Sequence, residues 1–94
     1  MYKVFYITAV KKDFKALPKE VNLLKEKYFS ILSNNPFCGE PLTDVFKSYL
    51  SYHFSYQGTR YRIIYKIIKE KLIILIILIG SRENIYKRLK RRLL

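Results

Sequence analysis

The chain has 94 residues, half of them apolar and 16% aromatic, enough for one domain and too apolar for a disordered one. Nineteen Lys and Arg stand against seven Asp and Glu, a net charge of +12, and residues 60–94 carry eleven of the bases but only two of the acids. A single cysteine, Cys38, rules out an internal disulfide, and with one histidine, His53, a structural zinc site is nearly excluded. So uneven a positive surface repels itself and seeks a polyanion: nucleic acid, an anionic membrane or an acidic protein. The longest apolar run, Leu72–Ile79, is eight residues, whereas a spanning helix needs roughly 20. No apolar signal core is visible at the N-terminus. These features predict a soluble, cytoplasmic, reducing setting and no membrane partner.

Residues 2–7, YKVFYI, are short and rich in aromatic and β-branched side chains, which predicts a strand. Thr8 offers a helix cap, and Val10, Phe14 and Leu17 recur at helical spacing. Pro18 suits the start of a second helix, whose stripe is Val21, Leu24, Tyr28, Ile31 and Leu32. Two helices so closely joined predict an antiparallel hairpin. Residues 35–45, NPFCGEPLTDV, read as a loop.

From Leu50 the period becomes two. Leu50, Tyr52, Phe54 and Tyr56 share one face; Ser51, His53, Ser55 and Gln57 share the other. A turn at Gly58-Thr59 would set Gln57 opposite Arg60, Ser55 opposite Arg62 and His53 opposite Ile64. Arg60–Ile68 returns, Lys69–Lys71 turns, and Leu72–Ile79 reads as a strand covered on both sides. Gly80-Ser81 would end it. Ser81 would cap a last helix with Glu83 in its first turn and an Ile85, Leu89, Leu93 stripe. The order β-α-α-β-β-β-α predicts one α+β domain over residues 1–94: a helical hairpin on a twisted, mostly antiparallel sheet, with the last helix at the edge of a partly open second face.

In that arrangement three segments converge. The open face carries His53, Ser55, Gln57, Arg60 and Arg62; the apolar strand delivers Arg82; the last helix delivers Tyr86, four residues on. The acids are scattered (Asp13, Glu20, Glu26, Glu40, Asp44, Glu70 and Glu83), so they offer no cluster for hard cations. Neither a phosphate-binding glycine loop nor a dinucleotide fingerprint is present. Metal-free RNA cleavage, in which the 2′-hydroxyl attacks its own phosphate, stays open to such a residue set. Arginines would steady the developing charge, and a histidine would move the proton. The plain alternatives are Arg62 as a solvated strand residue paired with Glu70 or Glu83, Arg82 as a junction anchor, Tyr86 as a packing residue, and Lys87–Arg92 as a solvated helix face.

The segment Arg60–Ile67, RYRIIYKI, followed by Leu75–Tyr86, LIILIGSRENIY, resembles the signature of the RelE/ParE superfamily. These are toxins of type II toxin–antitoxin modules. The leading strand, the Lys15–Pro18 link between helices and Asn35-Pro36 are similar to the family's layout as well. The resemblance implies a ribosome-dependent, metal-independent mRNA endoribonuclease that inhibits translation and uses no cofactor. It implies that Arg62 stabilises the phosphate in the transition state, that Arg82 neutralises or protonates the leaving oxygen, and that Tyr86 stacks on or orients a nucleotide. His53 and Ser55 stand where the best-known RelE pattern has two lysines, and Gln57 where it has a further basic residue. His53 then becomes the expected base, with weak or lost nuclease activity as the other possibility. Arg60, Gln57, Lys87, Lys90 and Arg91 are the expected RNA or phosphate contacts. The implied partners are an acidic antitoxin, in a hetero-oligomer, and the ribosome with its mRNA. The alternative is the ParE branch, which lacks the nuclease set and inhibits DNA gyrase.

Overall fold

The computed structural model covers all 94 residues. In chain order the elements are β1 (Lys3–Tyr6), α1 (Val10–Ala16), α2 (Lys19–Asn34), β2 (Glu40–Pro41), β3 (Leu50–Tyr56), β4 (Thr59–Ile68), β5 (Ile73–Ser81) and α3 (Ile85–Leu93). They form one five-stranded sheet in the order β1-β5-β4-β3-β2, in which only β1 and β5 run parallel. The α+β architecture expected from the alternating periods is present. The predicted loop at 35–45 also holds β2, a two-residue strand on the edge of β3, too short to show a period.

The hairpin α1–α2 covers one face of the sheet. Val10, Val21, Phe29 and Leu32 are buried there with Phe54, Tyr61, Ile63, Tyr65, Ile74, Ile76 and Ile79, and Phe14, Leu17 and Tyr28 pack around them. Phe29, absent from the predicted stripe, is more buried than its neighbour Tyr28. Tyr28 instead stacks on Phe54 at a centroid distance of 4.1 Å, and Phe54 stacks on Tyr61 at 5.3 Å. Such pairs add to the area they bury.

Four local expectations are corrected. The hairpin turn is Gln57-Gly58, not Gly58-Thr59: both residues have positive φ, +48° and +81°, as a type I′ turn requires to match the strand twist. His53 therefore lies opposite Arg62, and Ser55 opposite Arg60. Moving the turn by one residue moves the pairing by two, so every side chain keeps its predicted face. At the C-terminal end, β5 continues through Ser81 and α3 starts only at Ile85. Ser81 caps nothing and Glu83 precedes the helix; Asn84, at φ +58°, makes the entry. Thr8 likewise gives no side-chain cap to α1. Finally, α3 lies across the second face of the sheet, not at its edge. Ile85 and Leu89 are buried there against Ile64, Ile77 and Leu78. The doubly apolar β5 needs cover on both sides, and the α3 stripe supplies it.

One polar cluster fixes this helix. The β4–β5 register shifts between Ile64 and Tyr65, leaving Ile77 as an extra residue, and β1 stops at the Tyr6–Ile76 pair. The edge of β5 beyond that point lacks a neighbouring strand, and bare edge groups need partners. Asp13 of α1, only 3% exposed, accepts the Ile79 N–H at 3.1 Å. Arg92 donates to the Ile77 carbonyl at 3.0 Å and to both Asp13 oxygens at 2.5 and 3.0 Å, and Arg88 adds a contact at 3.3 Å. A side chain at Gly80 would collide with the Arg88 guanidinium. Two of the bases read as solvated are thus anchors between α1, β5 and α3.

Candidate active site

The second face of the sheet is covered by α3 over only part of its area, and a cationic patch fills the rest. β3 and β4 point His53, Ser55, Arg60 and Arg62 to this side. The β4–β5 ladder sets Arg62 opposite Gly80, and the Arg82 N–H donates to the Arg60 carbonyl at 2.9 Å, which extends the same ladder. Arg82 therefore arrives from the end of β5, before α3 begins, and not from a helix it shares with Tyr86. His53, Ser55, Arg60, Arg62 and Arg82 line one open cavity of about 350 Å³, floored by Phe54 and Tyr61. Arg60 and Arg82 also border an adjoining space with Gly58, Thr59, Ser81 and Glu83.

Tyr86 projects from the first turn of α3 towards Arg62. The Arg62 guanidinium donates to the Tyr86 hydroxyl and sits over its ring, 5.4 Å from the centroid. No carboxylate pairs with Arg62, so the predicted alternative partners Glu70 and Glu83 are not engaged. Its charge is held by a phenol and an aromatic face, and stays available to an anion.

His53 is exposed on the rim. Its pKa lies below the ordinary 6.5, first because partial burial disfavours the cation, then because Arg62 repels a second positive charge; Glu40 partly offsets both. The Nε2 atom stands 3.7 Å from the Glu40 carboxylate. A neutral imidazole at pH 7 can accept a proton. Glu40 falls in the predicted loop, and its pairing from β2 with Ser51 of β3 brings it here. The sequence signal for that is faint, since two paired residues carry no periodicity.

The remaining predicted contacts separate into two places. Lys87, Lys90 and Arg91 line another cavity of about 530 Å³ with Asn84 on the exposed side of α3. Gln57 sits in the hairpin turn, outside the lining of the arginine cavity. No group of three His, Cys, Asp or Glu side chains gathers anywhere in the fold. No helix is long and apolar enough to cross a membrane.

Residues 4–90 match the model of the ParE-like toxins of type II bacterial toxin–antitoxin systems. The chain belongs to this family. Among solved structures, it is similar to a chain of the toxin–antitoxin complex RelBE2 from Mycobacterium tuberculosis. That match has 28% identity and a TM-score of 0.74, and covers 86% of this chain and 91% of the other. A free-state mutant of the Escherichia coli toxin RelE superposes with a TM-score of 0.75 at 19% identity, over 99% of this chain and 98% of that one. A chain of the RelE–RelB complex from Pyrococcus horikoshii gives 0.58 at 20% identity, over 87% and 96%. At such identities the last two speak to the fold. No curated protein matches by sequence. The family-model match and the RelE-type neighbours bear out the RelE/ParE resemblance of Arg60–Ile67 and Leu75–Tyr86, with the solved relatives on its RelE side.

Proposed function

We propose that this ParE-like toxin cuts messenger RNA on the ribosome by metal-independent transesterification. The observation that carries the reading is the shared cavity: Arg62 from β4, Arg82 from the end of β5 and His53 from β3 line one space with no carboxylate in its wall. Neutral His53 takes the proton from a 2′-hydroxyl, and the 2′ oxygen forms a bond to the adjacent phosphorus. Arg62, aligned by Tyr86, holds the phosphate oxygens as charge grows on them. The bond from phosphorus to the 5′ oxygen then breaks. Arg82 neutralises that leaving oxygen, which takes its proton from water. The products are a 2′,3′-cyclic phosphate and a 5′-hydroxyl. Lys87, Lys90, Arg91 and Arg60 hold flanking phosphates of message or ribosomal RNA, with Gln57 at the margin.

The partner that silences such a toxin is an acidic, partly disordered antitoxin. It folds onto the basic surface, forms a hetero-oligomer and gains association rate from opposite charge. The solved relatives from M. tuberculosis and P. horikoshii are toxin–antitoxin complexes, which supports this part of the reading. Action in the cytoplasm follows from a ribosomal target.

A second reading is favoured by the ParE-like family match itself: inhibition of DNA gyrase without RNA cleavage. Induction in cells separates the two. The nuclease predicts new transcript ends within translated codons and no DNA-damage response. DNA damage with intact transcripts would select the gyrase inhibitor.

A further inference from the structure

Beside the arginine cavity runs a groove of about 510 Å³, whose walls include Glu40, Leu42, Asp44, Val45, Phe46 and Tyr86. It combines a flat aromatic ring, aliphatic surface and two of the chain's seven carboxylates. We propose that this groove reads one base beside the cut linkage, with Asp44 and Glu40 accepting hydrogen bonds from an exocyclic amine and so selecting against uracil. The proposal rests on the RNA-cutting reading above and gives it a specificity.

The argument starts from charge. In a +12 chain that binds a polyanion, a carboxylate at the binding surface repels phosphate. Its place is therefore opposite a donor, and the donors of single-stranded RNA are on the base edges. The flat, half-apolar shape points the same way, because a base presents a π-face and a polar rim. Val45 is 82% exposed at the lip, an aliphatic surface that a stacked ring would cover.

Two contacts tie the groove to the chemistry. Tyr86 belongs to the groove wall, yet its hydroxyl and one ring face are held by Arg62. Glu40 belongs to the same wall and stands 3.7 Å from His53. A nucleotide whose phosphate lies on Arg62 and Arg82 thus has its base beside the groove, and Lys90, at the groove's helical side, is placed for the next phosphate. Asp44 is held at φ +56°, a conformation Asp and Asn tolerate best after glycine. Cytosine and adenine offer an amine (N4, N6) to a carboxylate, whereas uracil presents its O4 carbonyl, and guanine its O6, at the equivalent position.

The test uses trinucleotides that cannot be cut because their 2′-hydroxyls are methylated, titrated into the full-length ¹⁵N-labelled toxin. Cytidine against uridine is the decisive pair, since the two pyrimidines stack alike and differ only along one edge, where uridine carries O4 and N3–H in place of the cytidine amine and bare N3. Tri-cytidylate should shift the amides of residues 42–46 and bind about tenfold more tightly than tri-uridylate. Asp44→Asn keeps the left-handed turn and adds a donor, and should bring the pair to within about twofold. Equal binding of both by the wild type, or an unchanged preference in Asp44→Asn, overturns the proposal. So do shifts confined to the arginine cavity, which would leave the groove to a protein segment, and so does no binding at all. Because nothing is cut in this titration, cytidine-over-uridine discrimination by a toxin that cuts no ribosomal mRNA would leave base recognition by the groove standing and remove the nuclease reading, whereas equal binding by a toxin that does cut would do the reverse.

Discussion

The two faces of the sheet are built from the same strands and differ in what they leave exposed. Under α1 and α2 the alternating residues of β3 and β4 are aromatic and aliphatic, and they close into a dry layer around Phe54, Tyr61 and Tyr65. Under α3 the same strands present Ser, His and Arg at their hairpin end and Ile64 only farther along. The helix covers the apolar part and stops short of the cationic part. One face therefore holds the fold together, while the other tolerates unpaired guanidiniums because water or an anion can solvate them. The difference also separates the arginines into two kinds. Arg88 and Arg92 are tied to a buried carboxylate, whereas Arg62 and Arg82 have no acidic partner.

That contrast can be broken first at Asp13. Asp13→Ala strips the partner from Arg88 and Arg92 and leaves the Ile79 N–H without an acceptor. Loss of one member of a buried pair costs about 3–5 kcal/mol, and urea unfolding should read a destabilisation of that order. A change under about 1 kcal/mol would mean that α3 is held by its apolar stripe alone.

Arg62→Ala should behave in the opposite way. Cleavage of ribosome-bound message should fall about 10²–10³-fold, the usual effect of removing one preorganised charge donor. Unfolding free energy should move by no more than about 0.5 kcal/mol, since the residue is on the surface.

A smaller effect lies on the dry face. Tyr65 is fully buried; its hydroxyl donates to the Pro36 carbonyl at 2.7 Å and accepts the Gly39 N–H at 3.0 Å. Burial pushes its pKa up to about 12, so it stays a neutral donor. Tyr65→Phe should cost about 1–3 kcal/mol, the penalty of leaving those groups unpaired, with cleavage unchanged.

The smallest expected effect is a titration. His53 in the folded chain holds its proton less firmly than the ordinary pKa of 6.5. The native state then binds fewer protons than the unfolded one, so the contribution of His53 to stability is present above pH 6.5 and is lost as pH falls through the lowered value. Cleavage should show its acid limb below pH 6.5 for the same reason. The single imidazole resonance can be followed directly by NMR. In Glu40→Gln its pKa should drop further, because Glu40 is the group that raises it.

Much of this molecule is legible in its sequence, for reasons that differ by element. The period of two in 50–57 assigned faces correctly even with the turn misplaced by one residue, because pairing slips in steps of two. The doubly apolar β5 announced cover on both sides, but nothing in its composition said that α3 would supply it. Asp13 was invisible as a buried anchor, since its partners are more than 60 residues away and its need arises from a bulge. Within the site, strand order put Arg62, Arg82 and His53 on one face, but the direct pairing of His53 with Arg62 depended on the turn and emerged only with the Gln57-Gly58 hairpin. The place of Glu40 could not, because a two-residue strand has no pattern.

The most direct test of the cationic cavity is the double variant Arg62→Ala/Arg82→Ala, added as pure protein beside the wild type to translating ribosomes, with transcript ends mapped at single-nucleotide resolution. The wild type should generate discrete ends within codons at the ribosome, and the folded double variant should generate none above background. Ends of equal abundance from the double variant, or none from the active wild-type toxin, would contradict the account.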